Sequence, residues 1–231
     1  ASTFIIYMFL LLYGVQVMQS VTQEKSNRIV EVMISSVKPF ELMMGKITAI
    51  GLAGLTQFAI WLILSVIILF STTSQLSIGA ATDNIESLNQ MQSYPFAELL
   101  IWFTLFFSGG YMLYASLFAA IGSAVDNEAD TQQFMTPITI IILFALYAGI
   151  YSAQNPEGPL AFWCSMIPFT SPIVMMVRIP FGIPLWEIIV SFLILGISAL
   201  CSIWISGRIY RIGILMYGKK TSYTEIIKWI K

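Results

Sequence analysis

The segment EKSNRIVEVMISSVKPFE, residues 24–41, has the residue types and the spacing of a small surface that binds a partner. It carries charges of both signs, whereas residues 1–23 and 47–82 on either side of it contain none. We predict an amphipathic helix within residues 22–38, which Pro39 ends because proline has no amide donor. Its apolar residues follow the i, i+3, i+4, i+7 spacing of one helical face, and they are Ile29, Val30, Met33, Ile34 and Val37.

Two interpretations of this amphipathic helix stay open on the residues alone. It could rest on lipid headgroups, as interfacial helices do. It could equally dock on a protein, because a lipid-bound helix favours an excess of lysine and arginine, and the charge here is nearly balanced. On the polar side, Glu24 and Arg28 lie four residues apart, as do Asn27 and Glu31, which is the spacing of neighbours on a helix.

Several classes of catalytic site are excluded by the composition. The 231 residues include no histidine, so a Ser-His-Asp triad, a Cys-His pair and a zinc site that needs imidazole are absent. The chain also lacks the GxxxxGK[ST] sequence of a nucleotide-binding loop. We predict no catalytic residue, no metal site and no cofactor in this chain, and we expect Cys164 and Cys201 to be packing residues.

The element that must position the amphipathic helix is a set of membrane spans. Of all residues, 58% are hydrophobic and only 10% are charged, compared with about a quarter charged in soluble domains. A spanning helix needs about 20 mostly apolar residues, which predicts an all-α integral membrane fold with a single domain over residues 1–231. Its five spans are A at 3–21, B within 43–71, C at 97–124, D at 134–153 and E at 185–206.

Residues 155–184, between spans D and E, are apolar but interrupted by six prolines. Each proline removes a backbone donor and disfavours helix at the residue before it. An uninterrupted span is therefore not expected here. We predict two short re-entrant helices at the outer face, with their broken backbone buried in protein.

The orientation of the spans follows from the distribution of lysine and arginine. Ten of the eleven basic residues lie in the A–B connection or in the tail, residues 208–231, whereas the B–C connection has only acidic charges. The positive-inside rule then places the N-terminus of this chain outside and its C-terminus in the cytoplasm. An outside N-terminus without a signal sequence needs an earlier span, so we expect this chain to be the C-terminal fragment of a longer protein. In the tail, Ser222 and Glu225 have the spacing of a capping box before a short amphipathic helix.

Four polar residues at membrane depth are candidates for a translocation pathway. Thr56 and Gln57 lie in span B, and Thr136 and Thr139 lie in span D. Side-chain hydrogen bonds between helices are the simpler explanation for them.

The acidic turn after span C is a second candidate. Its residues Asp126, Glu128 and Asp130 are either a solvated turn or a contact for a cation or a partner. The other acidic residues lie in loops or near span ends, which argues against an ion-coupled transporter or a channel as the alternative function.

The sequence QEKSNRIVEVMISSVKPFELMMGKI resembles the cytoplasmic segment of permease subunits of ABC transporters in the type-2 exporter class. The tail is similar to that of the sodium-efflux (NatB-like) branch. Such permeases have six spans with a large outer domain after the first, whereas this chain starts at the second span, in agreement with the fragment expectation. The matching residues are Glu24, Lys25, Glu31, Met33, Ser35, Pro39, Glu41, Leu42, Gly45 and Lys46.

The resemblance implies an exporter in the inner or plasma membrane, with the amphipathic segment as its coupling helix. Its partners would be a separate ATPase subunit that holds ATP and magnesium, a second permease copy in a homodimer or heterodimer, and the lipid membrane, with no nucleic acid. Sodium ions are the implied substrate, and drugs, lipids and peptides stay open. The implied ATPase-docking residues are Glu24, Lys25, Arg28, Val30, Glu31, Met33 and Ile34.

Overall fold

The protein is all-helical over the residues that its computed structural model describes, which are 2–34, 36–76, 96–126 and 128–216. The predicted all-α fold is confirmed. The elements are α1 Ser2–Ser26, α2 Ile29–Ile34, α3 Pro39–Leu76, α4 Phe96–Ala124, α5 Glu128–Gln154, α6 Pro159–Met166, α7 Ser171–Arg178, a 3-10 turn Ile179–Phe181 and α8 Leu185–Gly213.

The five predicted spans are confirmed as α1, α3, α4, α5 and α8, each long and apolar enough to cross a membrane. A segment that crosses the hydrocarbon core must satisfy its own backbone hydrogen bonds, and an α-helix does so. The long uncharged segments of this sequence therefore form helices. Several helices continue past the predicted ends, since α5 begins at Glu128 and α8 reaches Gly213. Hydropathy marks only the part that crosses hydrocarbon, whereas the backbone ladder continues into polar sequence.

The single amphipathic helix predicted within residues 22–38 is divided in the structure. Residues up to Ser26 belong to α1, and α2 has only the six residues Ile29–Ile34. Between them Arg28 has a φ of 56°, in the left-handed region, and its amide donates to the Lys25 carbonyl instead of continuing the α-helical ladder. The prediction of one continuous helix is therefore wrong, and Glu24 and Arg28 do not share a helical face.

The centre of the bundle is α4, which packs most extensively against α1 and α8. In its most apolar window 67% of the residues are buried, compared with 17% in α3, the least buried of the five spanning helices. Close backbone approach fixes α4 at its C-terminal end. A Cβ atom at Gly122 would lie 2.6 Å from the Met18 carbonyl oxygen of α1, and one at Gly213 of α8 would lie 2.9 Å from the Ser123 carbonyl oxygen.

The proline-rich segment contains two short helices, α6 and α7, as predicted. Every residue of α7 is buried, and the helix packs against α1, α4, α5 and α6. Hydroxyl groups connect this segment to α8, because Ser191 Oγ lies 2.6 Å from Ser171 Oγ and donates to the Ser165 carbonyl oxygen at 2.6 Å. Helix α7 itself is therefore enclosed by protein, whereas the breaks on either side of it, at 155–159 and 180–184, are largely exposed. The prediction that the broken backbone would be buried is wrong at those breaks.

Two predicted features fall outside the described residues. They are the B–C connection within 77–95 and the capped tail helix that begins near Ser222. The acidic turn after span C is shorter than predicted, because Glu128 and Asp130 are already helical in α5. Carboxylates in a first helical turn interact favourably with the helix dipole.

The close approach of α1 and α4 predicts that Gly122→Ala is destabilising. The added methyl group would meet the Met18 backbone, which cannot rotate away, and such overpacking costs about 1–3 kcal/mol. The matched control is Gly196→Ala in α8, where no atom lies within 4 Å of the new Cβ and a gain of about 0.5–1 kcal/mol is expected from helix propensity. Thermal unfolding in detergent measures both, and equal stability of the two variants would contradict this packing.

Candidate functional site

The candidate site lies at the end of the bundle where α1, α4 and α8 end and α3 begins. Ion pairs and close contacts bring these four helix ends together. Apart from Arg178, the basic residues that the structure describes belong to these ends or to the connection between α1 and α3. We call this region the basic end. Its basic residues are Lys25, Arg28, Lys38, Lys46, Arg208 and Arg211.

Lys25 is the most enclosed charged group of the basic end, with 1% of its side chain exposed. Its ammonium lies 2.8 Å from Asp126 Oδ1 and donates to the Ser123 carbonyl oxygen at 2.7 Å. Ser26 Oγ donates to the Asp126 carbonyl oxygen at 2.9 Å. Thr22 Oγ1 donates to the Gly122 carbonyl oxygen at 3.3 Å. The last turn of α1 thus supplies cation and hydroxyl donors to the C-terminal carbonyls of α4, where positive charge is favourable.

A second ion pair joins α1 to α3. The Lys46 ammonium contacts Glu24 Oε2 and donates to the Ser20 carbonyl oxygen at 3.4 Å. Glu24 and Lys25 were predicted to dock a partner, but both are paired within the chain. Their adjacent positions at the end of α1 direct one side chain to α3 and the other to α4.

The helix α2 turns Val30 and Met33 inward. Val30 is 1% exposed and belongs to the main core, and Met33 packs against that core. These two predicted docking residues therefore anchor α2 to its own bundle. The side chains of Glu31 and Ile34, also predicted to dock, lie outside the described part of the chain.

The exposed residues around α2 are different ones. Arg28 is exposed in the turn before α2, and Ile29 has 48% of its surface exposed. Val37, just before α3, is 40% exposed, and Phe40, at the start of α3, is 48% exposed. The apolar periodicity of the sequence did not separate these residues from Val30 and Met33, because the break at Arg28 rotates α2 relative to α1.

The four candidate pathway residues do not come together within one chain. Thr56 donates to its own helix at Ala53, and Thr136 and Thr139 donate to carbonyls one turn earlier in α5. Gln57 accepts a hydrogen bond of 3.0 Å from the Tyr13 hydroxyl, so the predicted bond between helices is confirmed there. Among the residues described, no hydrogen bond joins the pair in α3 to the pair in α5.

Arg178 forms a buried polar centre that the sequence analysis did not identify. It is 2% exposed, and its Nη2 lies 2.9 Å from Glu187 Oε2 in the first turn of α8. Nε donates to the Pro156 carbonyl oxygen at 2.8 Å and Nη1 to Ser165 Oγ at 2.6 Å. The available signal was that Arg178 is the one basic residue outside the two basic segments, since a cation at such a position needs a partner.

A cleft of about 500 Å³ opens beside this pair, at the end of the bundle opposite the basic end. The cleft is lined by the aromatic residues Phe162, Trp163 and Phe181 and by the carboxylate of Glu187. Cys164 lies in the short helix α6, as do Phe162 and Trp163, and burial raises the pKa of its thiol. Within the described ranges, no three His, Cys, Asp or Glu residues come together as metal ligands.

The comparisons with known proteins identify the family. A family model described as "ABC-2 family transporter protein" matches residues 1–208. The chain belongs to the ABC-2 family. This ABC-2 chain is therefore a multi-pass membrane protein, and the resemblance seen in residues 23–47 is confirmed at the level of the family.

Two relatives of this ABC-2 chain have names that assign them no function. It is 30% identical over 226 residues to "Uncharacterized protein YhaP" of Bacillus subtilis (strain 168), covering 96% of this chain and 52% of that protein. It is 29% identical over 228 residues to "Uncharacterized protein MJ1024" of Methanocaldococcus jannaschii, covering 98% and 52%. The chain thus spans about half the length of these relatives. No solved structure matches it.

The buried contact between Lys25 and Asp126 predicts a strong coupling between the two residues. Asp126→Ala leaves the Lys25 charge without its carboxylate, and removing one partner of a buried pair costs about 3–5 kcal/mol. The double variant Lys25→Met, Asp126→Ala has no unpaired charge and should lose much less than the sum of the single variants.

The matched control is Asp130→Ala, an exposed carboxylate in the first turn of α5, which should stay within about 0.5 kcal/mol of the wild type. Chemical unfolding in detergent gives the four free energies of the cycle. Strictly additive effects of the two substitutions would show that the contact does not hold the helix ends together.

Proposed function

We propose that this chain is the membrane-spanning permease part of an ABC exporter that a separate ATPase subunit drives. The ATPase would hold ATP and magnesium, because this chain has no nucleotide-binding loop. The observation that carries the proposal is α2, a six-residue helix mounted at the basic end by Val30, with Arg28 and Ile29 exposed beside it. A subunit that presses on α2 would move α1 and α4 together, because Lys25 connects them.

The proposed docking surface consists of exposed apolar residues with charges around them. Ile29, Val37 and Phe40 supply the apolar contacts, and Arg28 supplies charge. Burying a large aliphatic side chain fully contributes about 1.5–3 kcal/mol, whereas an exposed ion pair contributes about 0–1 kcal/mol. Apolar contact at Ile29 is therefore the main proposed source of ATPase affinity.

The proposed orientation puts the basic end in the cytoplasm of a cell with this protein in its plasma membrane. The described basic residues of both segments lie at that end, and the positive-inside rule favours the cytoplasmic side for them. The N-terminus of this chain would then be outside and the cleft beside Arg178 would face outward. Export of substrate is the direction that the resemblance supports.

A second permease copy, identical or related, would complete the translocation pathway. Thr56 and Thr136 are exposed on the surface of a single chain, so they could line a path between two copies, with Gln57 and Thr139 beside them. Sodium ions are the substrate that the tail resemblance supports, and drugs, lipids or peptides are the alternatives. Flux into vesicles that contain the whole complex distinguishes them.

An ion-coupled transporter or channel is the weaker alternative. Such proteins need ionisable groups deep in the membrane. The carboxylates that the structure describes within spanning helices lie in their end turns, as Glu24, Glu41, Glu98 and Glu187 show. A permease that receives energy from a partner at α2 accounts for the exposed Ile29 beside the buried Val30, which an ion-coupled transporter does not explain.

The docking proposal predicts that Ile29→Asp releases the ATPase or uncouples it. The substitution replaces the exposed apolar side chain with a charge, without removing a core contact. The matched control is Asn27→Asp, which adds the same charge at an exposed position two residues earlier. Co-purification of the ATPase, followed by substrate-stimulated ATP hydrolysis, should show at least a tenfold weaker association for Ile29→Asp, corresponding to about 1.4 kcal/mol, and little change for Asn27→Asp.

Retention of the ATPase and of full stimulation in Ile29→Asp would contradict the docking surface. The segment would then be an interfacial helix, because such a helix would lose only local contact with lipid. If both variants lose the ATPase equally, added charge rather than lost apolar contact is the cause, and the assignment to Ile29 is wrong.

A further inference from the structure

Two clefts adjoin each other at the end of the bundle opposite the basic end. The first, of about 500 Å³, is the cleft beside Arg178. The second, of about 520 Å³, lies at the turn between α5 and α6. Glu157, Pro159 and Phe181 line both clefts, and we call the two together the groove. Each volume falls within the range of small-molecule sites, which is about 300–1,000 Å³.

Glu187 presents a spare carboxylate oxygen to the groove. The residue is 8% exposed, and its Oε2 lies 2.9 Å from Arg178 Nη2 in an ion pair without the alignment of a hydrogen bond. Among the described residues this is the polar contact of the carboxylate, so Oε1 has no partner there. Because Glu187 lines the first cleft and a carboxylate only accepts hydrogen bonds, a ligand that donates to it would fit.

The charges of the groove favour a cation. Its charged lining consists of the carboxylates of Glu157 and Glu187 and the guanidinium of Arg178, which leaves negative charge in excess. Glu98, in the first turn of α4, adds a carboxylate at this end of the bundle, whereas the other basic residues that the structure describes lie at the basic end. A cleft lined by one sign of charge concentrates ligands of the opposite sign.

Aromatic rings in the same walls favour an organic cation over a bare ion. Phe162, Trp163 and Phe181 line the first cleft, and Tyr151 lines the second. Trp163 and Phe181 are 65% and 57% exposed, so their rings are accessible to a ligand. A ring face attracts an ammonium group within about 6 Å and also packs against apolar carbon. The guanidinium of Arg178 already lies 6.0 Å from the centre of the Phe162 ring.

We propose that the groove binds a small organic ammonium compound with an apolar body. The ammonium group lies between the carboxylates of Glu157 and Glu187, and the apolar body packs on Trp163 and Phe181. Aromatic residues also anchor proteins at a membrane surface, but an anchor needs neither a concave site nor a buried carboxylate with a spare oxygen. Binding in the groove is independent of ATPase docking, and only its use as a step in export rests on the proposed function.

Phenethylammonium and 2-phenylethanol are matched probes, because they share a ring and an ethyl chain and differ in charge. Saturation-transfer NMR measures the binding of each to the full chain in dodecyl maltoside, a detergent without charge. Saturable binding of phenethylammonium is expected, at least about fivefold tighter than that of 2-phenylethanol, because only the cation pairs with the carboxylates and the ring faces. Equal affinities, or no saturable binding of the cation, would overturn the proposal.

Glu157→Gln removes one carboxylate from the groove at an exposed position, so the fold is not disturbed. It should weaken phenethylammonium binding about threefold to fivefold and leave 2-phenylethanol binding unchanged. The matched control is Glu98→Gln, which removes an exposed carboxylate at the same end that lines neither cleft. An equal loss in the two variants would mean that the cation is attracted to this end without a specific site, which contradicts the proposal.

Phe181→Leu keeps apolar surface but removes the ring that both clefts share. It should weaken phenethylammonium binding at least about twofold through the lost cation–π contact. Phe144→Leu, at an exposed ring of α5 outside the groove, is the control and should have no effect. Unchanged affinity in Phe181→Leu would show that the rings are membrane anchors only.

The last arm adds phosphatidylethanolamine to the detergent, because its headgroup also carries an ammonium group. Phenethylammonium binding should not decrease. Competition by this lipid would make a lipid headgroup the occupant, and the assignment to a small molecule would be wrong. Since no ATPase is present in any of these measurements, failure of binding in the groove and failure of ATPase docking at Ile29 are separate results.

Discussion

The buried ammonium group of Lys25 constrains the rest of the basic end. A charge with 1% of its side chain exposed must be paired and hydrogen-bonded, because an unpaired one would cost several kcal/mol. Asp126 and the Ser123 carbonyl meet this need only when the last turn of α1 lies against the C-terminus of α4. The turn at Arg28 follows three residues later, so the position of α2 also depends on this contact.

The ion pairs of Lys25, Arg178 and Lys46 differ in exposure. Lys25 and Arg178 are each nearly enclosed and hold α4 and the short helices α6 and α7 in place. Lys46 and Glu24 are 12% and 26% exposed. A more exposed pair contributes less free energy, and α3 is held to α4 in addition by the buried Tyr111 hydroxyl, which donates to the Ile47 carbonyl oxygen at 2.9 Å.

The spans and the two short helices could be predicted because their causes are local in the sequence. Uncharged runs form spanning helices, and closely spaced prolines break them. The break at Arg28 was not predictable, since the apolar spacing passes through Ile29 and Val30 without a change. The partners of Lys25 lie 98 or more residues away, so no local pattern shows that the Glu24–Lys25 sequence serves contacts within the bundle.

The central claim is that Lys25 attaches the end of α1, which carries α2, to α4. Hydrogen exchange tests this claim most directly. In Lys25→Met the amides of α2 and of the last turns of α1 and α4 should exchange at least about tenfold faster, because local opening no longer breaks a buried pair. Amides of the enclosed helix α7, at the opposite end, should keep their wild-type rates. Unchanged exchange in α2 would contradict the account, as would an equal increase throughout the bundle.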